Sequence, residues 1–445
     1  MSIHSPPTLE ELARQALLRN EALAISALET LPWTLFPPLF VDAFNGKHTR
    51  IVKAMVAAWP LPYLPVGALM NTFNLEVLQD MLEGLDVLLT QNVHPRRCKL
   101  REIDFRSVNH HFWTVWAGTE EGDCSAETVS EEQEVKPPLR YELTGPLKVI
   151  TDLYFRFQLD EKETNFLQWA QQRKDSLQLC CVNMKIESLS LDNVRKILTV
   201  FQPEHIQVLE LSIDWSWCTL AQFSPYLAQM RNLHTLSLVQ IHKNRFGLDI
   251  TYLEEKNLKT PLESFSVTHC LVFRSHLSHL SQCERLHQLK HLDMCGVLLS
   301  YMLCMNPLRV LLEKVASTLE TLGFQGCGIT DSQLSVLLPA LSQCSKLTKI
   351  NFYFNDFSVN ALSDLFLHTA NFTKMAVEQY PAPVECYDEF GYFSRERFVQ
   401  LCPVLMDTLR PIRQPKDISF GVLLCGSCNK RYVYGLESRV CTCQR

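Results

Sequence analysis

The sequence predicts an α/β fold, a leucine-rich-repeat solenoid of the horseshoe type preceded by an N-terminal helical docking segment. Three observations carry that prediction. An apolar-x-x-apolar-x-apolar pattern recurs eight times between Leu179 and Val377. Its start-to-start intervals are 27, 27, 29, 27, 30, 28 and 25 residues, close to the roughly 20–29 residues that one strand plus one helix need. The first hundred residues lack this pattern and show helical spacing in its place.

At the N-terminus, Leu9, Leu12, Ala13, Ala16 and Leu17 fall at i, i+3, i+4, i+7 and i+8, one apolar stripe. Thr8 with Glu11 three residues later is a capping-box signature. An apolar helix follows from Ala22 to Leu28, then a proline-bounded segment from Leu31 to Phe40, with Pro32 suited to a first helical position. Two patterns here suit docking. Thr8-Leu9-x-x-x-Ala13-x-x-x-Leu17 sets a large apolar anchor, a small residue one turn on for close approach, and a further anchor on the same face. It resembles the box by which substrate receptors hold elongin C. Leu31-Pro32-x-x-Leu35-x-x-x-Leu39 resembles the cullin-2 box, and its opening also resembles that of an F-box. The same helices would equally serve as a plain cap on the repeat array.

An isolated match, Leu100-x-x-Ile103-x-Phe105, lies 79 residues before Leu179. The gap reads as an acidic loop followed by helical segments, Leu147 to Leu159 and Phe166 to Leu179. Charge locates the loop. The 445-residue chain is 47% hydrophobic and 20% charged with a formal net charge of −6, and Gly118 to Lys136 holds seven acids and one base. That stretch carries the whole excess, and its lack of periodicity suits a solvated loop. The remainder is neutral, which argues against direct nucleic-acid binding, where basic excess supplies affinity. The chain thus divides into a helical segment with the docking boxes (1–95), a first degenerate repeat (96–117), the acidic loop (118–138), the solenoid (139–390) and a cap with a cysteine-rich tail (391–445).

Within the solenoid, the last two apolar residues of each pattern alternate, as an inward strand face requires. The unit at Leu319-x-x-Leu322-x-Phe324 continues with Cys327 at a buried turn position, Asp331 as the expected helix N-cap, and Leu334, Leu337, Leu338 and Leu341 at helical spacing. One unit cannot bury its own face, so neighbours must stack. Residues between the inward ones point to the concave face: Glu210, Ser212, Thr235, Ser237, Ser264, Ser266, His291, Asp293, Gln325, Lys349, Asn351 and Tyr353. This polar, lightly charged ladder suits a protein substrate, whose identity the pattern leaves open.

Other motifs are weighed against blander readings. Cys425-x-x-Cys428 and Cys441-x-Cys443 could hold a structural zinc on four thiolates or remain unligated cysteines. Three L-x-x-L-L runs, at Leu85, Leu308 and Leu334, have the spacing of core-facing repeat helices. His110-His111 reads as an extended pair whose side chains diverge. No phosphate-cradling glycine loop, G-x-S-x-G, H-E-x-x-H or paired catalytic carboxylates occur, which points to recognition without catalysis or cofactor. Seventeen scattered cysteines read as reduced thiols of cytoplasm or nucleus. No apolar run reaches the roughly 18 residues of a membrane span; the nearest, Trp59 to Met70, is interrupted by Pro60, Pro62 and Pro65.

Specific strings then point to a family. Leu23-Ala-Ile-Ser-Ala-Leu-Glu29, Leu35-Phe-Pro-Pro-Leu-Phe40, Gly84-Leu-Asp-Val-Leu-Leu89, Pro95-Arg-Arg97, Phe112-Trp-Thr-Val-Trp116, Phe223-Ser-Pro-Tyr-Leu227, Gly328-Ile-Thr-Asp331 and Tyr380-Pro-Ala-Pro383 resemble, in order, the PRAME family (preferentially expressed antigen in melanoma) and its rodent oogenesin-like members. The resemblance implies a leucine-rich solenoid acting as substrate receptor of a cullin-2 RING ubiquitin ligase, bound through elongin B/C. It also implies links to germ cells, repression of transcription and proliferation. Where some members carry a basic, nuclear-signal-like run, the loop here is acidic.

Overall fold

The computed structural model describes residues 7–69, 81, 84–86, 98–108, 110–117, 146–156, 158–159, 161–213, 217–240, 258–270, 272, 274–299, 305–413, 416–424 and 431–435. They form two compact units, one from 1–153, 159–182 and 196–202, the other from 154–158, 183–195 and 203–445. The fold is mixed α/β on an open, mostly parallel sheet whose strands follow chain order in each unit.

The helices are α1 (Leu9–Leu18), α2 (Glu21–Ala27), α3 (Phe36–Asn45), α4 (Thr49–Ala57), α5 (His110–Ala117), α6 (Glu161–Gln172) and α7 (Leu191–Val200). They continue with α8 (Trp217–Leu227), α9 (Arg274–Gln282), α10 (Asn306–Val315), α11 (Asp331–Leu341), α12 (Val359–His368) and α13 (Arg395–Leu409). The strands are β1 (Tyr63–Pro65), β2 (Glu102–Asp104), β3 (Leu147–Arg156), β4 (Leu177–Glu187), β5 (Val208–Ile213), β6 (Thr235–Gln240) and β7 (Ser264–Thr268). After them come β8 (His291–Asp293), β9 (Thr321–Gly323), β10 (Lys349–Asn351), β11 (Val377–Pro381), β12 (Asp417–Leu424) and β13 (Arg431–Gly435).

In the first unit an aromatic core ties helices to strands. Phe40 stacks on Trp113 at 5.7 Å and meets Trp59 edge-on at 5.3 Å. Both indoles are buried and satisfied: Trp113 Nε1 donates to the Pro65 carbonyl at 2.8 Å, and Trp59 Nε1 to that of Tyr63 at 3.0 Å. Pro37 and Pro38 open α3, where a missing N–H costs nothing. Pro32 stands one step earlier than expected, as N-cap of a 3₁₀ turn, Trp33–Leu35, that leads into α3.

Two local expectations are overturned. Leu147–Arg156 is a strand, not a helix, because Leu147, Val149, Thr151, Leu153 and Phe155 alternate into the core. It pairs in parallel with β2, Val149 opposite Ile103, and β2 pairs in parallel with β1, Leu64 opposite Ile103. His110 and His111 begin α5 and are not extended, since the segment's aromatic residues pack as a helical face against Phe40 and Tyr63.

In the second unit, successive register partners form one buried column: Met184, Leu209, Leu236, Phe265, Leu292, Leu322, Ile350, Glu378 and Ile418. This column resets the frame at both ends of the repeat series. The first repeat reads Cys181-x-x-Met184-x-Ile186, two residues beyond the Leu179 frame. The last reads Met375-x-x-Glu378-x-Tyr380, three residues beyond the Phe372 frame. Parallel pairing then continues past residue 390 into β12, and β13 closes antiparallel.

Three strand exits share one device. His269, Gly326 and Phe354 take left-handed φ of 57°, 68° and 60°, a conformation that turns the chain sharply. The next residue in each case is buried and bonds main-chain carbonyls. Cys327 Sγ reaches the Met294 carbonyl at 3.1 Å, and Cys270 Sγ that of Thr268 at 3.2 Å. Asn355 Nδ2 donates to Phe324 and Phe352 at 2.8 and 2.9 Å, while its Oδ1 accepts from Ile329 N at 2.8 Å. Cys327 thus holds the buried turn position expected of it. Asp331 does not cap α11; Thr330 does, in a capping box with Gln333, and Asp331 Oδ1 accepts from Ser358 N at 2.9 Å.

Glu378 is a carboxylate in a column of leucines. Arg413 Nη2 and Nε bond it at 2.6 and 2.9 Å, and the Tyr380 hydroxyl donates to it at 2.7 Å. Arg413 Nη1 spends its protons on the carbonyl and hydroxyl of Thr369, at 2.9 and 3.0 Å. Removing one member strands a buried charge, whereas removing both leaves only neutral groups, the hydroxyls of Tyr380 and Thr369 among them. Arg413→Leu is therefore expected to cost about 3–5 kcal/mol of unfolding free energy, read from urea denaturation, and Glu378→Leu added to it should restore most of that loss.

Burial pushes the Cys344 thiol up to about 12. Cys295 and Cys386 also rise to about 12, burial first and then nearby carboxylates, Asp293 and Glu385. Cys327 and Cys402 are pushed up further by burial. A raised pKa means less thiolate at any lower pH, and thiolate is the nucleophile. In the native chain at pH 8 these five thiols should alkylate at least about tenfold more slowly than in urea, with the protection fading as pH nears 12 at Cys295, Cys344 and Cys386 before Cys327 and Cys402. Peptide mapping after iodoacetamide treatment measures it.

Candidate partner-docking surfaces

The first candidate surface is α1. Thr8 Oγ1 accepts from Glu11 N at 3.2 Å, and the Glu11 carboxylate accepts from Thr8 N at 2.7 Å, the reciprocal capping box. The helix is attached by its polar side. Arg14 Nε bonds Asp42 of α3 at 2.8 Å and Arg14 Nη1 bonds Glu10 at 2.7 Å, with the Arg14 side chain only 16% exposed. The apolar stripe faces away except at its end, where Leu17 is half-buried. Leu9 is 85% exposed and Leu12 48%, Ala13 is open, and α1 has no buried residue. This inverts the usual arrangement, in which the apolar face packs inward.

The second box is divided. Pro32 is exposed, Leu31 and Leu35 are half-buried, and Leu39 lies fully inside the core with Phe36 and Phe40. Leu39 therefore cannot be offered to a partner without unpacking α3. Sequence spacing missed three exposed apolar residues beside these boxes, Leu23, Ile25 and Trp33. Their positions fit no repeat pattern, and only the pairing of α2 with α4 shows which of its faces is inward.

The third surface is the outward side of the second unit's sheet. Glu210, Ser237, Ser266, Asp293, Gly323, Asn351, Gln379 and Ser419 are successive register partners in one row. Thr235, Ser264, His291, Thr321 and Lys349 make the row beside it. The expected ladder residues fall into these rows, apart from Ser212, Gln325 and Tyr353, which stand two positions on. Ser212 and Tyr353 are buried. The Ser212 carbonyl accepts from Ser188 N at 2.8 Å, and the Tyr353 hydroxyl meets Ser419 Oγ at 2.5 Å.

The face is internally bonded and nearly charge-balanced. Lys185 pairs Glu210 at 2.5 Å and Lys290 pairs Glu263 at 2.9 Å, which holds the Glu263 carboxyl below its ordinary range. His291 Nδ1 meets Thr321 Oγ1 at 2.9 Å, and Asn351 Nδ2 donates to Gln325 at 3.0 Å. Gly323 leaves the row low at its centre, because a Cβ there would stand 2.6 Å from Asp293 Oδ1. Thr321, Gly323, Gln379 and Ser419 were missed from sequence. Continuing the 28-residue step from Leu347 to Met375, past the carboxylate of Glu378, would have found Gln379.

Leu308, Leu311 and Leu312 of α10 and Leu334, Leu337 and Leu338 of α11 are buried, so these L-x-x-L-L runs serve the core; the run at Leu85 lies partly outside the described residues. Cys425, Cys428, Cys441 and Cys443, and the acidic loop, also lie outside them. Among the described residues no group of three His, Cys, Asp or Glu side chains could hold a metal ion. No helix among them is long and apolar enough to cross a membrane.

Known proteins align along the whole chain. Residues 6–113 match the family described as PRAME N-terminal domain, and residues 147–250 and 253–443 match the PRAME C-terminal domain. PRAME family member 12 of Homo sapiens is 41% identical over 475 residues, covering 99% of this chain and 98% of its own length. Oogenesin-3 of Mus musculus is 40% identical, covering 98% and 93%, and the human PRAME family member 8 is 40% identical over the full length of both. With both domains matched and relatives aligned end to end, the chain belongs to the PRAME family.

Proposed function

We propose that this chain is the substrate-recognition subunit of a cullin-2 RING ubiquitin ligase, without catalytic residues of its own, and that its parallel repeats are leucine-rich repeats. One observation carries the reading: a capped helix held to the body by Arg14 while Leu9, Leu12 and Ala13 stay open. Such a stripe matches what helix-in-groove docking requires, and its spacing resembles the box that holds elongin C. In this reading elongin B/C takes α1, cullin-2 with its RING subunit takes the segment around Pro32, and the sheet's outward rows meet a protein substrate. The polar rows, small at Ser237, Ser266 and Gly323, suit a hydrogen-bonding partner over an apolar one. Downstream effects on transcription or proliferation would follow from the substrate removed, in cytoplasm or nucleus.

Co-expression with elongin B/C tests the reading directly. The parent chain should co-purify with elongin C, and Leu9→Ser with Pro32→Ala should weaken binding at least about tenfold. Because both positions are exposed, the thermal midpoint should stay put. Unchanged recovery of elongin C by the double variant rejects the ligase reading and leaves a binding scaffold; recovery of an F-box adaptor protein in its place assigns a different ligase.

A variant on the sheet separates the two surfaces. Ser266→Arg places a long cation in the low part of the row, so it should keep elongin C yet lose the substrates that accumulate under proteasome inhibition. Identical accumulation for variant and parent would remove the sheet face from substrate binding.

A further inference from the structure

The hairpin before α13 takes no part in the docking surfaces. Tyr387 and Phe393 pair as an antiparallel bridge, with their rings 5.7 Å apart. Between them Asp388 closes the turn. Its carboxylate accepts from the amides of Phe390 at 3.0 Å and Tyr392 at 2.8 Å, and its own amide donates to the Tyr392 carbonyl at 3.0 Å. Gly391 takes φ of +81° with open space on its Cβ side. Arg397 Nη1 donates to the Tyr387 carbonyl at 3.2 Å, bracing the base. The closed main chain leaves its two aromatic side chains no inward direction, and Phe390 and Tyr392 are 77% and 73% exposed.

Tyr392 differs from the other described tyrosines. The hydroxyls of Tyr63, Tyr154, Tyr353 and Tyr380 engage Asp104, Glu187, Ser419 and Glu378. Tyr226 stacks on Phe223, Tyr434 meets Phe398 edge-on, and burial pushes the Tyr387 phenol up to about 12. Charge before Tyr392 is acidic: Glu385, Asp388 and Glu389 precede it with no base among them, while Arg395 and Arg397 follow it and Arg397 braces the base of the hairpin.

We propose that Tyr392 is a phosphorylation site for a protein-tyrosine kinase with a basic peptide groove. The Tyr392 Oη attacks the γ-phosphorus of ATP, the bond from that phosphorus to the β,γ-bridging oxygen breaks, ADP leaves, and the phenolic proton passes to the kinase's catalytic-loop aspartate. The phenol arm carries Oη clear of the main chain, so the hairpin enters the cleft while folded. A groove that handles phosphates is electropositive, and Asp388 and Glu389 add attraction to it. The product carries about −1.5 to −2 charges beside two carboxylates, a mark read by an arginine-bearing partner.

The test uses the full chain, Mg-ATP and a tyrosine kinase domain that phosphorylates a glutamate–tyrosine copolymer. One phosphate is expected, mapped to Tyr392 by peptide mass spectrometry and absent from Tyr392→Phe. Asp388→Asn keeps an oxygen acceptor for the turn while removing charge; combined with Glu389→Gln it should slow the reaction about tenfold. An unmodified Tyr392 while the copolymer is phosphorylated overturns the proposal, as does phosphate on other tyrosines alone. Equal rates for parent and the charge-removed variant overturn it as well.

Discussion

Parallel pairing is the constraint on which the rest of this fold depends. Two parallel strands cannot be joined by a tight turn; the chain must cross back to the starting end before the next strand begins. Every crossover between β5 and β12 therefore has to return the chain to one height, and the buried column from Leu209 to Ile418 sets that height. A slip of one residue would turn Leu236 outward and Ser237 inward. Crossover length can vary, but the column cannot. The outward rows inherit their alignment from this, so a surface assembled from eight separate repeats is as ordered as the core beneath it.

Three strand exits, after β7, β9 and β10, show how the chain leaves the column without wasting hydrogen bonds. Short strands of three residues, such as β8, β9 and β10, leave carbonyls past the ladder that would be buried unpaired. A left-handed residue turns the chain, and the side chain after it supplies donors to those carbonyls. Asn355 does this with two strong N–H bonds, Cys270 and Cys327 with weaker S–H donors. The same burial that makes the Cys327 thiol useful here also keeps it protonated. Several of the cysteines are thus explained by packing.

Legibility in the sequence followed the apolar column. Where both inward positions are apolar, as from Ile206 to Phe352, the pattern gave the correct frame residue for residue. It failed where another interaction replaced a leucine. Glu378 is satisfied by Arg413, a residue 35 positions away that no local pattern connects to it. At Leu179 a run of adjacent apolar residues offered two frames, and only pairing of Met184 with Leu209 decides between them. β3 read as helix because Leu147, Ile150 and Tyr154 also fit helical spacing, while its β-branched residues marked a strand. For the docking surface, the sequence showed the stripe on α1 and its cap. It could not show which side of that helix meets the body, since that rests on one long-range ion pair, Arg14 with Asp42.

That ion pair changes what the apolar stripe means. A ten-residue helix is marginal alone, and helices of this length are ordinarily retained by burying their leucines. Here the retaining contacts include the Thr8–Glu11 capping box and Arg14, together worth about 1–3 kcal/mol, while Leu9 stays almost fully exposed and Leu12 half-exposed. Fully burying one leucine releases about 1.5–3 kcal/mol, so Leu9 in water leaves unused a free energy comparable to that of the capping box and Arg14 together. Elsewhere in the chain that release is taken by the core: Leu334, Leu337, Leu338 and Leu341 of α11 are all inside. On α1 the release at Leu9 is still available.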